Sequence, residues 1–219
     1  MSIVVRTLSE QVFDVVREQI VTGKLPQDRP IRQDALAMEL GVSKIPLREA
    51  LGRLEQEGLL TSHANRGFFV RPMSPAEAEE IFALRLAIEP DAAARASAVA
   101  DEADHKAART AMELLDDAAG NKKVEVAALN RAFHLALIRP LRRMLTAQLI
   151  ERLHFLSERY VYAHLEPAGR EDRAHQEHST LLDAWCAGDQ DTVAALLTAH
   201  IQATLDDLRN QDLQHLSVG

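Results

Sequence analysis

The chain has 219 residues, with 25 Lys and Arg against 33 Asp and Glu, and its net charge of −8 at pH 7 excludes a uniformly basic surface. Its length predicts two domains, and the single cysteine, Cys186, excludes an intramolecular disulfide framework. No stretch approaches the roughly 18 apolar residues of a membrane span or resembles a signal peptide, so we expect a soluble, cytoplasmic protein without a membrane partner.

Three helices are predicted in the first 58 residues. The first covers residues 7–22, and its buried side is predicted to carry Leu8, Val12, Val15, Val16 and Ile20. The second is short and ends at Gly41, which tolerates the left-handed conformation of a helix C-terminus. The third begins at Ser43, whose hydroxyl we expect to cap it, and ends at Gly58.

A β-hairpin follows the third helix. Two runs of alternating apolar residues, 59–63 and 67–70, flank a bend at 65–67. Helix, tight turn, helix and hairpin together are typical of a winged helix-turn-helix, a DNA-binding fold. Residues 1–72 hold 10 Lys and Arg against 9 Asp and Glu, whereas residues 73–219 hold 15 against 24. The acidity therefore lies in the second part of the chain.

Basic residues lie where such a fold contacts DNA. The recognition helix presents its N-terminal residues to base edges and phosphates. Arg48 could bind guanine or a phosphate bidentately, Lys44 supplies a point charge, and Ser43 could contact a phosphate. Arg66 and Gly67 at the hairpin tip could reach the neighbouring groove or backbone. Alternatively, these residues form a hydrated face whose positive charge is neutralised by nearby glutamates.

Residues 7–72 resemble the DNA-binding domain of GntR-type bacterial transcription regulators. The match rests on Leu36-Ala37, residues 40–44, residues 46–51, Leu54-Glu55, residues 57–59, and Arg66-Gly67 with Val70. Lys44 stands where Arg is commoner, and Arg32 is a candidate substitute for an arginine that many members carry near Asp34. The resemblance implies that the turn, the start of the recognition helix and the wing tip bind DNA, through Arg32, Ser43, Lys44, Pro46, Arg48, Arg66 and Gly67.

The second domain is predicted to be a compact, antiparallel, all-α bundle over residues 73–219. The sequence Ser74-Pro75-Ala76-Glu77 is a capping-box signature that opens a helix to about residue 100. The inward face of this helix is predicted to carry Ile81, Leu84 and Ile88. Further helical patterns cover residues 102–119, 124–138, 141–163, 171–187 and 190–210. The fold class is therefore mainly α, with an N-terminal winged helix-turn-helix.

Polar residues interrupt the apolar faces of four of these helices. Arg85 lies at the edge of one buried face and needs a carboxylate or a ligand as partner. Asn130 and His134 share a second face, while His178 and His200 lie on two others. Histidines from three helices can converge on a divalent metal, with zinc the first choice and nickel or manganese the alternatives. Alternatively, each is a core histidine that is hydrogen-bonded to a neighbour.

The other histidines show no comparable arrangement. His175 could face either way, because it lies one turn before His178. We expect the rest at the surface: His105, His154, His164 and His215.

Residues 75–210 look like the FCD effector domain, the all-helical C-terminal half of the FadR subfamily of GntR regulators. The matching pieces are residues 84–90, residues 130–137, Glu177-His178 with residues 181–184, Gly188-Asp189, and His200-Ile201. The resemblance implies a metal bound by Asn130, His134, His178 and His200, with Asn where many members have Asp. It also implies that the metal helps to hold a small carboxylate effector, with Arg85 nearby.

These features predict a homodimeric transcription regulator that binds operator DNA. Its effector would be a small organic acid or sugar acid, and the effector would relieve repression. Two alternatives stay open: a metal-dependent hydrolase built from the three histidines, and a metal-free bundle that serves only for dimerisation.

Overall fold

The computed structural model describes residues 6–119, 123–165 and 170–210. The chain divides into two compact units, Met1–Pro72 and Met73–Gly219. The described residues are mainly helical, which confirms the predicted fold class. None of the helices within these ranges is long and apolar enough to cross a membrane.

The first unit is a winged helix-turn-helix, as predicted. Its elements are α1 (Leu8–Val21), α2 (Gln33–Glu39), α3 (Lys44–Gln56), β1 (Leu60–His63) and β2 (Gly67–Val70). The two strands pair antiparallel, with Leu60 opposite Val70 and His63 opposite Gly67. Asn65 and Gly67 take the positive φ angles that this tight reversal requires, 62° and 84°.

Helix α1 packs on α3 through a stripe that differs in part from the prediction. Val12, Val16 and Ile20 are buried as expected, and Phe13 and Val21 join them. Leu8 and Val15 are 51% and 41% exposed, so their predicted burial is wrong. The buried stripe is centred between positions 13 and 16, and at 100° per residue position 15 lies roughly 130° away from it.

The turn between α2 and α3 fixes the start of the recognition helix α3. Gly41 has φ +66°, and the Val42 N–H donates to the Ala37 carbonyl at 2.9 Å. Ser43 occupies the N-cap of α3, but its side chain makes no capping hydrogen bond, which corrects the expected role of its hydroxyl. The apolar face of α3 is fully buried at Leu47, Leu51 and Leu54.

The hairpin is attached to both neighbouring segments. The Ser62 N–H donates to the Glu55 side chain on α3 at 2.9 Å. The Ile31 N–H, just before α2, donates to the Phe68 carbonyl at 2.8 Å. These bonds hold the wing tip close to the start of α2.

The second unit is a helical bundle. Its elements are α4 (Pro75–Ser97), α5 (Glu102–Ala119), α6 (Lys123–Ile138), a 3₁₀ turn (Arg139–Leu141), α7 (Met144–Leu165), α8 (Arg170–Cys186) and α9 (Gln190–Asn210). Helix α4 packs against α6, α7 and α9, and α5 packs against α6 and α8. Phe82, Phe133 and Trp185 are fully buried in the core, where the Trp185 indole N–H donates to the Leu137 carbonyl at 3.0 Å.

The buried face of α4 runs through a different set of residues from the one predicted. Ile81 is buried, but Leu84 is 47% exposed, so its predicted inward position is wrong. Arg85 is 3% exposed and lies close to the centre of the buried face, between Phe82 and Glu89. At 100° per residue, position 84 lies about 120° from that centre.

Tyr160 on α7 secures the first turn of α4. Its hydroxyl accepts from the Ser74 N–H at 3.1 Å and lies 3.0 Å from Glu77 Oε2. The Ser74 hydroxyl in turn accepts from the Glu77 N–H, so only half of the predicted capping box forms. Burial, the largest influence, raises the pKa of Tyr160 to about 12, so the phenol stays protonated as a donor.

Replacing Tyr160 by Phe is expected to lower the unfolding free energy of the helical unit by about 1–2 kcal/mol, because the Ser74 N–H loses its buried partner. Trp185 is the only tryptophan and lies in this unit, so its fluorescence during urea titration measures the change. Tyr162→Phe is the matched control, at a half-buried position of the same helix. Equal midpoints for the two variants would contradict the assigned role of the phenol.

Candidate functional site

Three histidines from three helices meet inside the helical unit. His134 lies on α6, His178 on α8 and His200 on α9, and one ring nitrogen of each lies within 4.8 Å of the others. The ring centroids of His134 lie 5.3 Å from His178 and 5.4 Å from His200. The structure thus brings together three of the four residues predicted to bind a metal.

The ring nitrogens of this cluster do not satisfy one another. His178 Nε2 lies 3.2 Å from His200 Nε2, so at most one of the two can donate to the other. His134 Nε2 is buried and has no hydrogen-bond partner. Buried polar atoms without partners are rare and costly. A divalent cation would accept all three lone pairs, so these residues fit a metal.

Carboxylates lie behind two of the three rings. Glu177 Oε2 is 2.6 Å from His200 Nδ1, and Glu89 Oε1 is 3.0 Å from His134 Nδ1. A carboxylate at Nδ1 holds the proton there and leaves Nε2 as the electron-pair donor. His200 has this hydrogen bond and is oriented as metal ligands usually are, whereas His134 Nδ1 lies close to Glu89 without the geometry of a hydrogen bond.

Burial favours the uncharged form of two of these histidines, His134 and His178. It lowers the pKa of His134 to about 3, although contact with Glu89 opposes this shift. Burial, followed by the neighbouring His200, also holds the pKa of His178 well below its usual value. Neutral imidazole is the form that binds metals, so the environment favours metal binding at physiological pH.

A buried ion pair adjoins the cluster. Arg85 Nε donates to Glu89 Oε2 at 2.9 Å, and Arg85 Nη1 donates to Ser157 Oγ at 3.3 Å. His154 Nε2 lies 2.8 Å from Glu89 Oε1. Burial opposes the ionisation of Glu89, but Arg85 and then His154 hold the pKa of this carboxyl well below its usual value. The inward arginine therefore has its carboxylate partner within the chain.

His154 is 2% exposed, so the expected surface position is wrong. It lies at helical spacing from Ile150 and Val161, which are also buried, and this spacing is the signal that could have revealed it. Glu89 could have been found by asking which residue neutralises Arg85, because it follows one helical turn later.

Glu89, His134 and His154 could also be grouped as a cation site. The guanidinium of Arg85 already contacts both oxygens of Glu89, at 2.9 and 3.4 Å, and would repel a second cation. We therefore assign Glu89 and His154 to the surroundings of His134 and not to a separate metal site.

Asn130 and the remaining histidines differ in how far they are buried. Asn130 is buried on α6, one turn before His134, and its role as a ligand stays a prediction. His175 faces outwards and contacts Asp116 at 2.6 Å. His105 is partly buried and packs edge-on against Trp185, with ring centroids 5.6 Å apart. The side chain of His164 and the whole of His215 lie outside the described residues.

The residues predicted to bind DNA lie on an exposed surface of the first unit. One groove is lined by Arg32, Gln33, Asp34, Ala35, Lys44 and Arg48. Arg48 Nε donates to Gln33 Oε1 at 3.3 Å, and Lys44 Nζ lies 2.5 Å from Asp34 Oδ1. A Cβ at Gly67 would lie 3.8 Å from Gln33 Nε2, so the wing tip borders this groove. Ser43 and Arg66 are also exposed, and Pro46 is half-buried.

Comparisons with known proteins cover both units. The profile of the bacterial regulatory proteins of the gntR family matches residues 8–70, and that of the FCD domain matches residues 80–203. The chain is 31% identical to an uncharacterized HTH-type transcriptional regulator of Paraburkholderia xenovorans, over 94% of this chain and 86% of the relative. It is 30% identical to a probable D-xylose utilization operon transcriptional repressor of Paenarthrobacter nicotinovorans, over 91% and 88%.

A solved structure has the same fold. The Escherichia coli protein McbR/YncC superposes with a TM-score of 0.78 at 26% identity, covering 94% of this chain and 99% of that one.

Replacing Glu89 by Gln is expected to destabilise the helical unit by about 3–5 kcal/mol, because Arg85 would be left as a buried charge without its counter-ion. The exposed pair Asp91–Arg95 lies on the same helix with the same spacing and serves as the control. Asp91→Asn should lower the free energy of unfolding by less than about 1 kcal/mol. Urea unfolding followed by Trp185 fluorescence compares the two, and similar losses would contradict the importance of the buried pair.

Proposed function

The chain belongs to the GntR family of bacterial regulatory proteins, as a member with an FCD domain, and we propose that it represses transcription until a small carboxylate binds its metal-loaded helical unit. It is a transcriptional regulator and not an enzyme. The observation that carries the proposal is the convergence of His134, His178 and His200 on one point, with a buried nitrogen that has no partner.

We propose that the first unit binds operator DNA through the start of α3, the adjoining groove and the wing tip. Support comes from the exposure of Lys44 and Arg48 at the N-terminal end of a helix whose other face is buried. A homodimer would place two such helices about 34 Å or a multiple apart, on two half-sites of a pseudo-palindromic operator.

The metal site would be formed by His134, His178 and His200, with Asn130 as the fourth residue. A bound metal would supply a positive charge that attracts and orients a carboxylate. The ligands are all uncharged, and Glu89 behind them is already paired with Arg85, so the charge of a divalent ion would be only partly compensated inside the protein. A buried charge is favourable only when it is paired, which supports an anionic effector. Imidazole ligands suit zinc, with nickel and manganese as alternatives.

Arg85 is the proposed second contact of the effector. Glu89 occupies Nε and Nη2 of its guanidinium, whereas Nη1 contacts only the neutral hydroxyl of Ser157 among the contacts described. The Nη1 edge would therefore be the one that meets an effector carboxylate. The effector would change DNA affinity only by the difference in its own affinity for the two arrangements of the dimer.

Removing the metal is expected to destabilise the protein. A metal present at 100 times its dissociation constant contributes about 2.7 kcal/mol to the native state, so chelation should lower the melting temperature and zinc, nickel or manganese should restore it. A variant with both His134→Ala and His178→Ala should neither bind metal nor respond to chelator. His175→Ala, at an exposed histidine, should behave as the parent does.

Elemental analysis of the purified parent decides between the alternatives. A stoichiometric metal in the parent that is absent from the double variant supports the proposed site. A parent that holds no metal and shows no thermal response to added ions would favour a metal-free bundle.

Arg48→Ala and Lys44→Ala are each expected to weaken binding to a duplex selected from a random library. The loss should be about tenfold or more for Arg48, because it removes a bidentate contact worth about 1–3 kcal/mol. Lys24→Ala removes the same charge from an exposed position after α1 and is the control. Gel shifts at equal salt measure the affinities. If both α3 variants bind the duplex as tightly as the parent does, the start of α3 is not the surface that binds DNA.

A further inference from the structure

Asp34 is an acidic residue within the basic surface proposed to bind DNA. It lies in the first turn of α2, and its Oδ1 atom is 2.5 Å from Lys44 Nζ in the first turn of α3. Arg32 and Arg48 line the same groove. Among the residues that line it, three cations thus surround one carboxylate.

Folding stability accounts for little of the effect of this carboxylate, because an exposed acidic residue in the first turn of a helix contributes only about 0.3–1 kcal/mol. The side chains of Lys44 and Asp34 are 61% and 79% exposed, and exposed ion pairs contribute little to stability because both partners stay hydrated. A carboxylate among phosphates also weakens DNA binding by repulsion. Asp34 therefore reduces general DNA affinity, and its position suggests a role in selecting sequence.

The chemistry of base edges indicates which sequence this pair fits. Asp34 and Lys44 hold a hydrogen-bond acceptor and a donor side by side. In the major groove a C·G pair presents the cytosine N4 amino donor next to the guanine O6 and N7 acceptors. An A·T pair flanks its amino donor with acceptors on both sides, N7 and O4, and these would repel a carboxylate. The pair is therefore complementary to C·G.

We propose that Asp34 and Lys44 together read one C·G base pair in each half-site, with Asp34 accepting from cytosine N4–H and Lys44 donating to guanine. This inference rests on the proposed DNA-binding function. It makes Asp34 a specificity-determining residue that lowers affinity for other sequences while favouring one base pair.

The test is selection from a randomised duplex library by the full-length parent, Asp34→Asn and Asp34→Ala. The parent should enrich a motif with one C·G position that the alanine variant loses, by about fivefold or more, while the other positions persist. Asp34→Asn should move the preference towards adenine, because an amide bonds adenine N6 and N7. Glu18→Gln, at an exposed carboxylate on α1, should keep the parent motif.

Salt dependence gives a second readout. Asp34→Ala frees Lys44 to neutralise a phosphate, so the slope of log affinity against log salt on a random-sequence duplex should steepen by about 0.9. Adding Lys44→Ala should return the slope to the parent value. If the parent enriches a motif but the Asp34 variants give the same motif and slope, the inference fails and the proposed function stands. If the parent enriches no duplex, both fail.

Discussion

The buried guanidinium of Arg85 is the constraint on which the helical unit depends. A charge that is 3% exposed destabilises the fold strongly unless it is paired. Glu89, one turn later, supplies the counter-charge, and its oxygens also lie against His154 and His134. One carboxylate therefore neutralises the arginine and lies against the ring of a proposed metal ligand, so the ion pair and the histidine cluster form one continuous polar centre.

The two sites differ in how far their charged groups are exposed to water. In the helical unit, Arg85 and Glu89 are withdrawn from water and fixed by each other, so their interaction is weakly screened by salt. In the first unit, Lys44 and Asp34 stay hydrated, and their interaction is weak and easily exchanged for another partner. The chain thus combines a buried polar centre with a hydrated groove that is the surface proposed to bind DNA.

Much of the fold follows from the sequence, because helical spacing marks buried faces and glycines such as Gly41 and Gly58 mark the ends of helices. The three inward histidines were predictable for the same reason. Their convergence was not, because helical register gives the face of a residue but not its depth in the bundle. Glu89 and His154 could have been recognised as buried from spacing within their own helices, but their contacts with each other and of Glu89 with His134 cross between helices, and no pattern within one helix shows those contacts.

Helix α7 holds α4 at two points. His154 and Ser157 contact the Arg85–Glu89 pair, and three residues later Tyr160 bonds the backbone of Ser74, next to the boundary between the two units. All three residues belong to one stretch of two helical turns. A rotation of α7 that loosens its contacts with the polar centre would also loosen its hold on Ser74. The same two turns of α7 therefore contact both the polar centre and the first turn of α4.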